Sequence, residues 1–143
     1  MGHIGLTPQS ASALGGFKVQ GRTPEQAEQL IADAKALDEA GVFAMVLECI
    51  PNGVAKVITE SVGAATIGCG GGPHVNGHNL NGYDILGLFD KFVPKFVKQY
   101  KVLAPEIIDG FNAFTDDVRT GVYPAPEYCF TGGDTITQLY PTD

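Results

Sequence analysis

Gly41-Val-Phe-Ala-Met-Val-Leu-Glu-Cys-Ile-Pro51 is the stretch on which the fold turns. Every residue from Val42 to Leu47 is apolar, and the run stops at a carboxylate, Glu48. Strict alternation would leave one face of a strand in water, whereas a continuous apolar run of this length is expected to be a strand buried on both faces, as in parallel sheets. A capped helix precedes it. Thr23 is a natural N-cap, Pro24 suits the first helical position and Gln26 completes a capping-box pattern. Ala27, Leu30, Ile31, Ala34 and Leu37 then fall on one face of an amphipathic helix, and Gly41 sits where a C-terminal cap belongs. On the other side, Pro51 and Asn52 open a second helix through about Val62, with Val54, Ala55, Ile58 and Val62 as its apolar side. Ala65-Thr-Ile67 begins another short buried strand that runs into Gly68-Cys-Gly-Gly-Gly-Pro73. Strand, loop and helix repeated with short connections predict an α/β fold with a parallel sheet.

Farther out the pattern weakens. Residues 1–22 read as irregular, with turn signals at Thr7-Pro8, Gly15-Gly16 and Gly21. Residues 74–83 hold two His, three Asn and two Gly and make a poor strand. Asp84 to Phe89 reads as a short helix, and Lys91 to Tyr100 as another with Pro94 near its start. A longer helix is expected from about Pro105 to Thr120, with Ile107, Ile108, Phe111, Phe114 and Val118 on one side and Gly121 ending it. A turn-rich tail follows.

The totals bound the function class. The 143 residues amount to about one domain, and 44% hydrophobic with 17% charged residues is enough to bury a core. A formal charge of −7 argues against a nucleic-acid partner, which needs a basic face. No apolar run approaches the roughly 20 residues that span a bilayer, and no basic-then-apolar segment at the N-terminus suggests a secretory signal. Cys49, Cys69 and Cys129 are odd in number and form no CxxC pair. They indicate neither a zinc knuckle nor a redox pair, and a reduced, cytoplasmic protein is the simplest expectation.

Several residues invite chemistry. Glu48, directly after six apolar residues, stands at the C-terminal end of a strand, the end where parallel α/β folds place catalytic groups. A carboxylate there can serve as a general base, or it can simply cap a helix or pair with a cation. His3, flanked by Gly2 and Gly5, reads from the pattern as an ordinary structural residue. The Gly68–Gly72 run suggests either a phosphate cradle or a tight turn; it lacks the Lys-Ser/Thr of a P-loop and the dinucleotide spacing. Cys69, His74 and His78 are ligand types, but their spacing fits no standard zinc motif and reads as scattered loop residues. Lys91, Lys95, Lys98 and Lys101 beside Phe92 and Phe96 read as a solvated helix face.

Three segments in order, Gly2-His-Ile-Gly-Leu-Thr-Pro-Gln9, Gly15-Gly-Phe-Lys-Val-Gln-Gly-Arg22 and Val46-Leu-Glu-Cys-Ile-Pro51, resemble the ketopantoate hydroxymethyltransferase family. Ile67-Gly-Cys-Gly-Gly-Gly-Pro73, Asp84-Ile-Leu-Gly-Leu-Phe89, Pro94-Lys-Phe96 and Tyr123-Pro-Ala-Pro-Glu127 extend the likeness to about Phe130. The resemblance implies a (β/α)₈ barrel, which usually takes about 250 residues. Residues 1–130 would then be its C-terminal part, from the end of the fifth strand to the eighth, and residues 131–143 a tail. It further implies that Glu48 removes the proton beside the ketone of 3-methyl-2-oxobutanoate. The enolate would attack the one-carbon unit of 5,10-methylenetetrahydrofolate and give 2-dehydropantoate, a step of pantothenate biosynthesis. His3 would hydrogen-bond the keto acid or its developing oxyanion, and the glycine loop would line the pocket mouth. The family's Mg²⁺, which polarises the keto oxygen, is held by two Asp of early strands, and a Lys of the fourth strand contacts the substrate carboxylate; none of these lies in this chain. The isolated chain is therefore expected to be nearly inactive, and to associate with a missing N-terminal half or with copies of itself through exposed strand edges. His78-Asn-Leu-Asn-Gly-Tyr-Asp84 departs from the family's apolar strand followed by His-Asp. Other readings are a non-catalytic half-barrel serving as a binding or assembly module, and another barrel enzyme of small 2-oxo acids.

Overall fold

A computed structural model of the chain describes residues 1–132 and 139. Its first compact unit, Met1–Lys101, contains the sheet. Strands β1 (Gly2–Gly5), β2 (Ala44–Glu48), β3 (Ala65–Cys69) and β4 (Gly77–His78) lie in sequence order, all parallel. Helices α1 (Pro24–Glu39) and α2 (Asn52–Ser61) make the crossovers between the first three strands. A short helix α3 (Gly82–Ile85) follows β4, and α4 (Ala104–Thr120) belongs to the second unit, Val102–Asp143.

Helix α1 begins and ends as its sequence requires. The Thr23 hydroxyl accepts from Gln26 N at 3.3 Å, while the Gln26 side chain reaches back to accept from Arg22 N at 3.1 Å. At the other end Gly41 N donates to Asp38 O and Val42 N to Leu37 O, a Schellman closure that turns the chain toward β2. The Asp38 carboxylate then accepts from Gly63 N (3.0 Å) and Ala64 N (2.7 Å), tying the end of α1 to the entry of β3.

The helices cover one face of the sheet. Ile4, Met45 and Leu47 point to that face and join Ala34 of α1 and Ala55 and Ile58 of α2 in one cluster, with Leu30, Ile31 and Leu37 packed around it. Met45, Leu47 and Ile58 are fully buried, each contributing about 1.5–3 kcal/mol of transfer free energy. The one buried polar residue among those described, Thr66, is satisfied: its hydroxyl donates to Asn76 Oδ1 at 3.0 Å, and its N–H donates to the same oxygen at 2.9 Å. That pair pins residues 74–80 alongside β3.

Several expectations need correction. The reading of residues 1–22 as irregular fails at Gly2–Gly5, a strand as the resemblance implied for the segment bearing His3, because its backbone pairs with Met45–Glu48. The apolar run is not buried on both sides. Phe43 precedes the strand and is 75% exposed, and Val46 is half-buried on the face turned away from α1 and α2. Residues 74–83, expected to make a poor strand, do so: only Gly77 and His78 pair with β3. The helix expected at Asp84–Phe89 starts at Gly82 and ends at Ile85. Lys91 to Tyr100 is not a helix. Pro94 stands three residues into the run, where it disfavours helical backbone at Val93, and the segment is held instead by Tyr100 N donating to Ile85 O at 2.8 Å. Helix α4 forms as expected, closed by Gly121, but Ile107, Ile108, Phe111, Phe114 and Val118 are all exposed by 44–69%. The expected tail at 131–143 lies largely outside the described residues. No described helix is long and apolar enough to cross a membrane.

Candidate active site

Side chains alternate along a strand, so the register fixes which residues share the uncovered face. His3 pairs with Val46, Ile67 also with Val46, and Cys69 with Glu48. His3, Val46, Glu48, Ile67 and Cys69 therefore lie together on the face opposite the helices, and all five are half-buried. Glu48 is the last residue of β2. His3, one pleat lower on β1, reaches up so that its Nε2 lies 3.0 Å from Glu48 Oε2. The two residues, 45 positions apart in sequence, form the one side-chain contact between a histidine and a carboxylate among the described residues. The Glu48 side chain keeps 17% of its surface exposed and that of His3 32%, so water and a small ligand can reach both.

The backbone around Glu48 is over-determined. Its carbonyl accepts from Leu6 N at 2.8 Å; Cys49 N donates to Cys69 O and Cys49 O accepts from Gln20 N, each at 2.9 Å. Cys49 is the one non-glycine residue with positive φ (49°) among those described, a conformation costing about 1–2 kcal/mol that these bonds hold in place. Gly5 makes the arrangement possible: its φ is +88°, and a Cβ there would run into the Glu48 carbonyl and approach Ile50 Cγ2 to 2.7 Å. Neither Gly5 nor Gln20 stood out in the sequence as a site residue; the glycine two places after His3 was the available signal.

The cysteines beside Glu48 are muted. Burial first, and the Glu48 charge second, push the Cys49 thiol up. The same causes, joined by Cys49 and Asp84, raise Cys69 to about 11. Both stay protonated near neutrality, poor as nucleophiles or metal ligands.

Beyond the strand ends lies a cavity of about 770 Å³. Gly68, Gly70 and Gly72 line it, with Cys49 and Asn52 on one side and His78 and Asn79 on the other. The glycine run thus sits at a pocket wall, and packing explains its composition. Gly70 has φ +77° and would place a Cβ 2.8 Å from the Phe96 ring. Cys69, His74 and His78 do not converge: among the described residues no group of three or more His, Cys, Asp or Glu could hold a metal ion. Lys95 and Lys98 line the cavity, with Lys98 Nζ 4.9 Å from the centre of the Tyr100 ring. His3 and Glu48 are not in its wall, although Cys49, next to Glu48, is.

The chain is similar to known proteins over nearly its whole length. A family model described as ketopantoate hydroxymethyltransferase matches residues 1–126. A 3-methyl-2-oxobutanoate hydroxymethyltransferase of Heliobacterium modesticaldum is 52% identical over 140 residues, covering 98% of this chain and 51% of the relative. Proteins of the same name from Desulfotalea psychrophila (53% over 131 residues; 92% and 47% covered) and Enterococcus faecalis (46% over 141 residues; 98% and 51% covered) are similar to it as well. The chain spans about half the length of the curated relatives it matches. It belongs to the ketopantoate hydroxymethyltransferase family.

Proposed function

We propose that this chain supplies the proton-abstracting part of a hydroxymethyl transfer from 5,10-methylenetetrahydrofolate to 3-methyl-2-oxobutanoate, and that it is the C-terminal part of a (β/α)₈ barrel acting in the cytoplasm. The observation that carries the reading is the His3–Glu48 contact across adjacent parallel strands, with Glu48 at the end of its own. Four parallel strands covered by helices on one face only are what a barrel segment looks like, the open face turning inward.

In this mechanism Glu48 takes the C3 proton of the keto acid. The C–H electron pair becomes the enolate. Water hydrates the one-carbon unit as its two carbon–nitrogen bonds to the folate break in turn, each nitrogen taking a proton. The enolate forms the carbon–carbon bond to the resulting formaldehyde-level carbon, whose oxygen, drawn from water, takes up a proton to become the product hydroxyl. His3 Nε2–H donates to Glu48 Oε2, leaving Oε1 to accept the proton. The imidazole fixes the rotamer of the base and stands beside the developing oxyanion. The residues described do not form a site for Mg²⁺, so no step through a metal is assigned to them. Metal ligands and the group binding the substrate carboxylate would come from the other half of the barrel, with which this chain would assemble.

The test is product formation. The chain is mixed with the N-terminal half of the Heliobacterium modesticaldum relative and supplied with both substrates and Mg²⁺. Formation of 2-dehydropantoate that needs both halves supports the reading; an inert mixture of folded, associated halves overturns it in favour of a non-catalytic assembly module.

A further inference from the structure

We propose that Val46, Ile67 and Cys69 form an apolar floor beside Glu48 that takes the branched hydrocarbon end of a small 2-oxo acid and sets how bulky an acid the site accepts. The identity of that acid rests on the function proposed above.

The first argument is register. His3, Val46 and Ile67 stand in one row across β1, β2 and β3, and Glu48 and Cys69 stand in the next row up on the same face. Neighbours within a row are about 5 Å apart and the rows about 7 Å, so one small molecule can meet all five. His3 reaches from the lower row to Glu48 in the upper one, at 3.0 Å. A ligand touching both of these side chains therefore spans the two rows and rests on Val46 and Ile67. Val46, Ile67 and Cys69 are each only half-buried, which leaves them surface to offer.

The second argument is polarity. Across the sheet the order runs from His3 on β1, through Glu48 on β2, to Ile67 and Cys69 on β3. The acid has the same order. Its oxygens lie at one end, and the carbon that gives its proton to Glu48 also bears the two methyl groups. With the oxygens on the His3 side, the methyls fall over β3. Ile67 is pure hydrocarbon there, and the Cys69 thiol, pushed up to about 11 chiefly by burial, stays protonated and behaves as a small apolar group. Val46 and Ile67 are branched at Cβ and stiff, so the floor has a set size rather than one that yields to the ligand.

The experiment compares 2-oxobutanoate, 3-methyl-2-oxobutanoate and 3-methyl-2-oxopentanoate, which differ in bulk at C3. Calorimetric binding and C3 deuterium exchange are measured on the chain assembled with the N-terminal half of the Heliobacterium modesticaldum relative, and circular dichroism checks the fold of each variant. Ile67→Val removes one methylene and should shift preference about fourfold from 3-methyl-2-oxobutanoate toward 3-methyl-2-oxopentanoate. Cys69→Val adds bulk beside Glu48 and should cost 3-methyl-2-oxobutanoate about tenfold against 2-oxobutanoate. Ile58→Val makes the same deletion under the helices and should leave every ratio unchanged. Ratios unmoved by Ile67→Val and Cys69→Val, or moved as far by Ile58→Val, would overturn the proposal. Exchange by the parent assembly with unmoved ratios defeats the floor alone. Binding preferences that follow these side chains, without exchange, defeat the transfer reading and leave the floor standing. A folded assembly that binds none of the three acids overturns both.

Discussion

Gly5→Ala probes how tightly the strand ends are built. The substitution asks an L-residue to hold φ near +88° and drives a methyl group into the Glu48 carbonyl and Ile50. The left-handed conformation costs about 1–2 kcal/mol and the overpacking about 1–3 kcal/mol. The same carbonyl accepts the Leu6 N–H, so relief by moving it gives up a hydrogen bond worth about 1 kcal/mol. Together these predict a loss of about 3–6 kcal/mol, a large share of the roughly 5–15 kcal/mol that keeps a domain folded. Urea unfolding followed by circular dichroism measures it. Gly53→Ala is the control, because Gly53 sits in α2 with open space around its Cβ position and should gain up to about 1 kcal/mol of helix propensity. If Gly5→Ala unfolds within 1 kcal/mol of the parent chain, the tight packing between β1 and the Glu48 carbonyl is wrong.

Other perturbations test the neighbouring features. Asp38→Ala removes the carboxylate that receives Gly63 N and Ala64 N; allowing for its partial exposure, a loss of about 2 kcal/mol is expected in the same urea assay. The raised thiols set the order of alkylation. At pH 8.5 an ordinary cysteine is about half ionised, whereas Cys69, at about 11, is under about 1% thiolate. Mass spectrometry after iodoacetamide should find exposed Cys129 labelled first and Cys69 last, with the Cys69 rate climbing as pH rises toward 11. Equal rates at Cys69 and Cys129 would contradict the burial of Cys69. The sign for stability follows. The unfolded chain ionises this thiol at lower pH than the folded one, so its effect is absent below about pH 8.5 and stability falls as pH rises from there. In the assembled enzyme, His3→Asn should slow proton abstraction about tenfold to a hundredfold by loosening Glu48; an unchanged rate would remove His3 from the mechanism.

The sheet was legible where local rules and tertiary demands agree. Thr23 and Gln26 bounded α1, Gly41 closed it, and the uninterrupted Val42–Leu47 run marked a parallel strand. The same run overstated burial, because hydropathy cannot tell whether a second layer lies over the Val46 face. Glu48 could be picked out by its place after the run, but its contact with His3 depends on the parallel register of β1 against β2, which no local signal encodes. Gly2–Gly5 is too short and glycine-rich to announce itself as a strand, and it forms through pairing alone. At Lys91–Tyr100 the apolar spacing suggested a helix, and the backbone restriction imposed by Pro94 outweighed it. Asn76 sat in a polar stretch that reads as loop, yet it satisfies buried Thr66 and so positions the short β4.

Hydrogen–deuterium exchange at C3 of 3-methyl-2-oxobutanoate, catalysed by the chain together with an N-terminal half, examines Glu48 without requiring carbon transfer. The wild-type assembly should exchange the proton, and Glu48→Gln, which keeps the side chain's size and a hydrogen-bonding oxygen for His3, should slow it by about 10²–10⁴-fold. Exchange at the wild-type rate in Glu48→Gln would contradict the assignment of Glu48 as the proton acceptor.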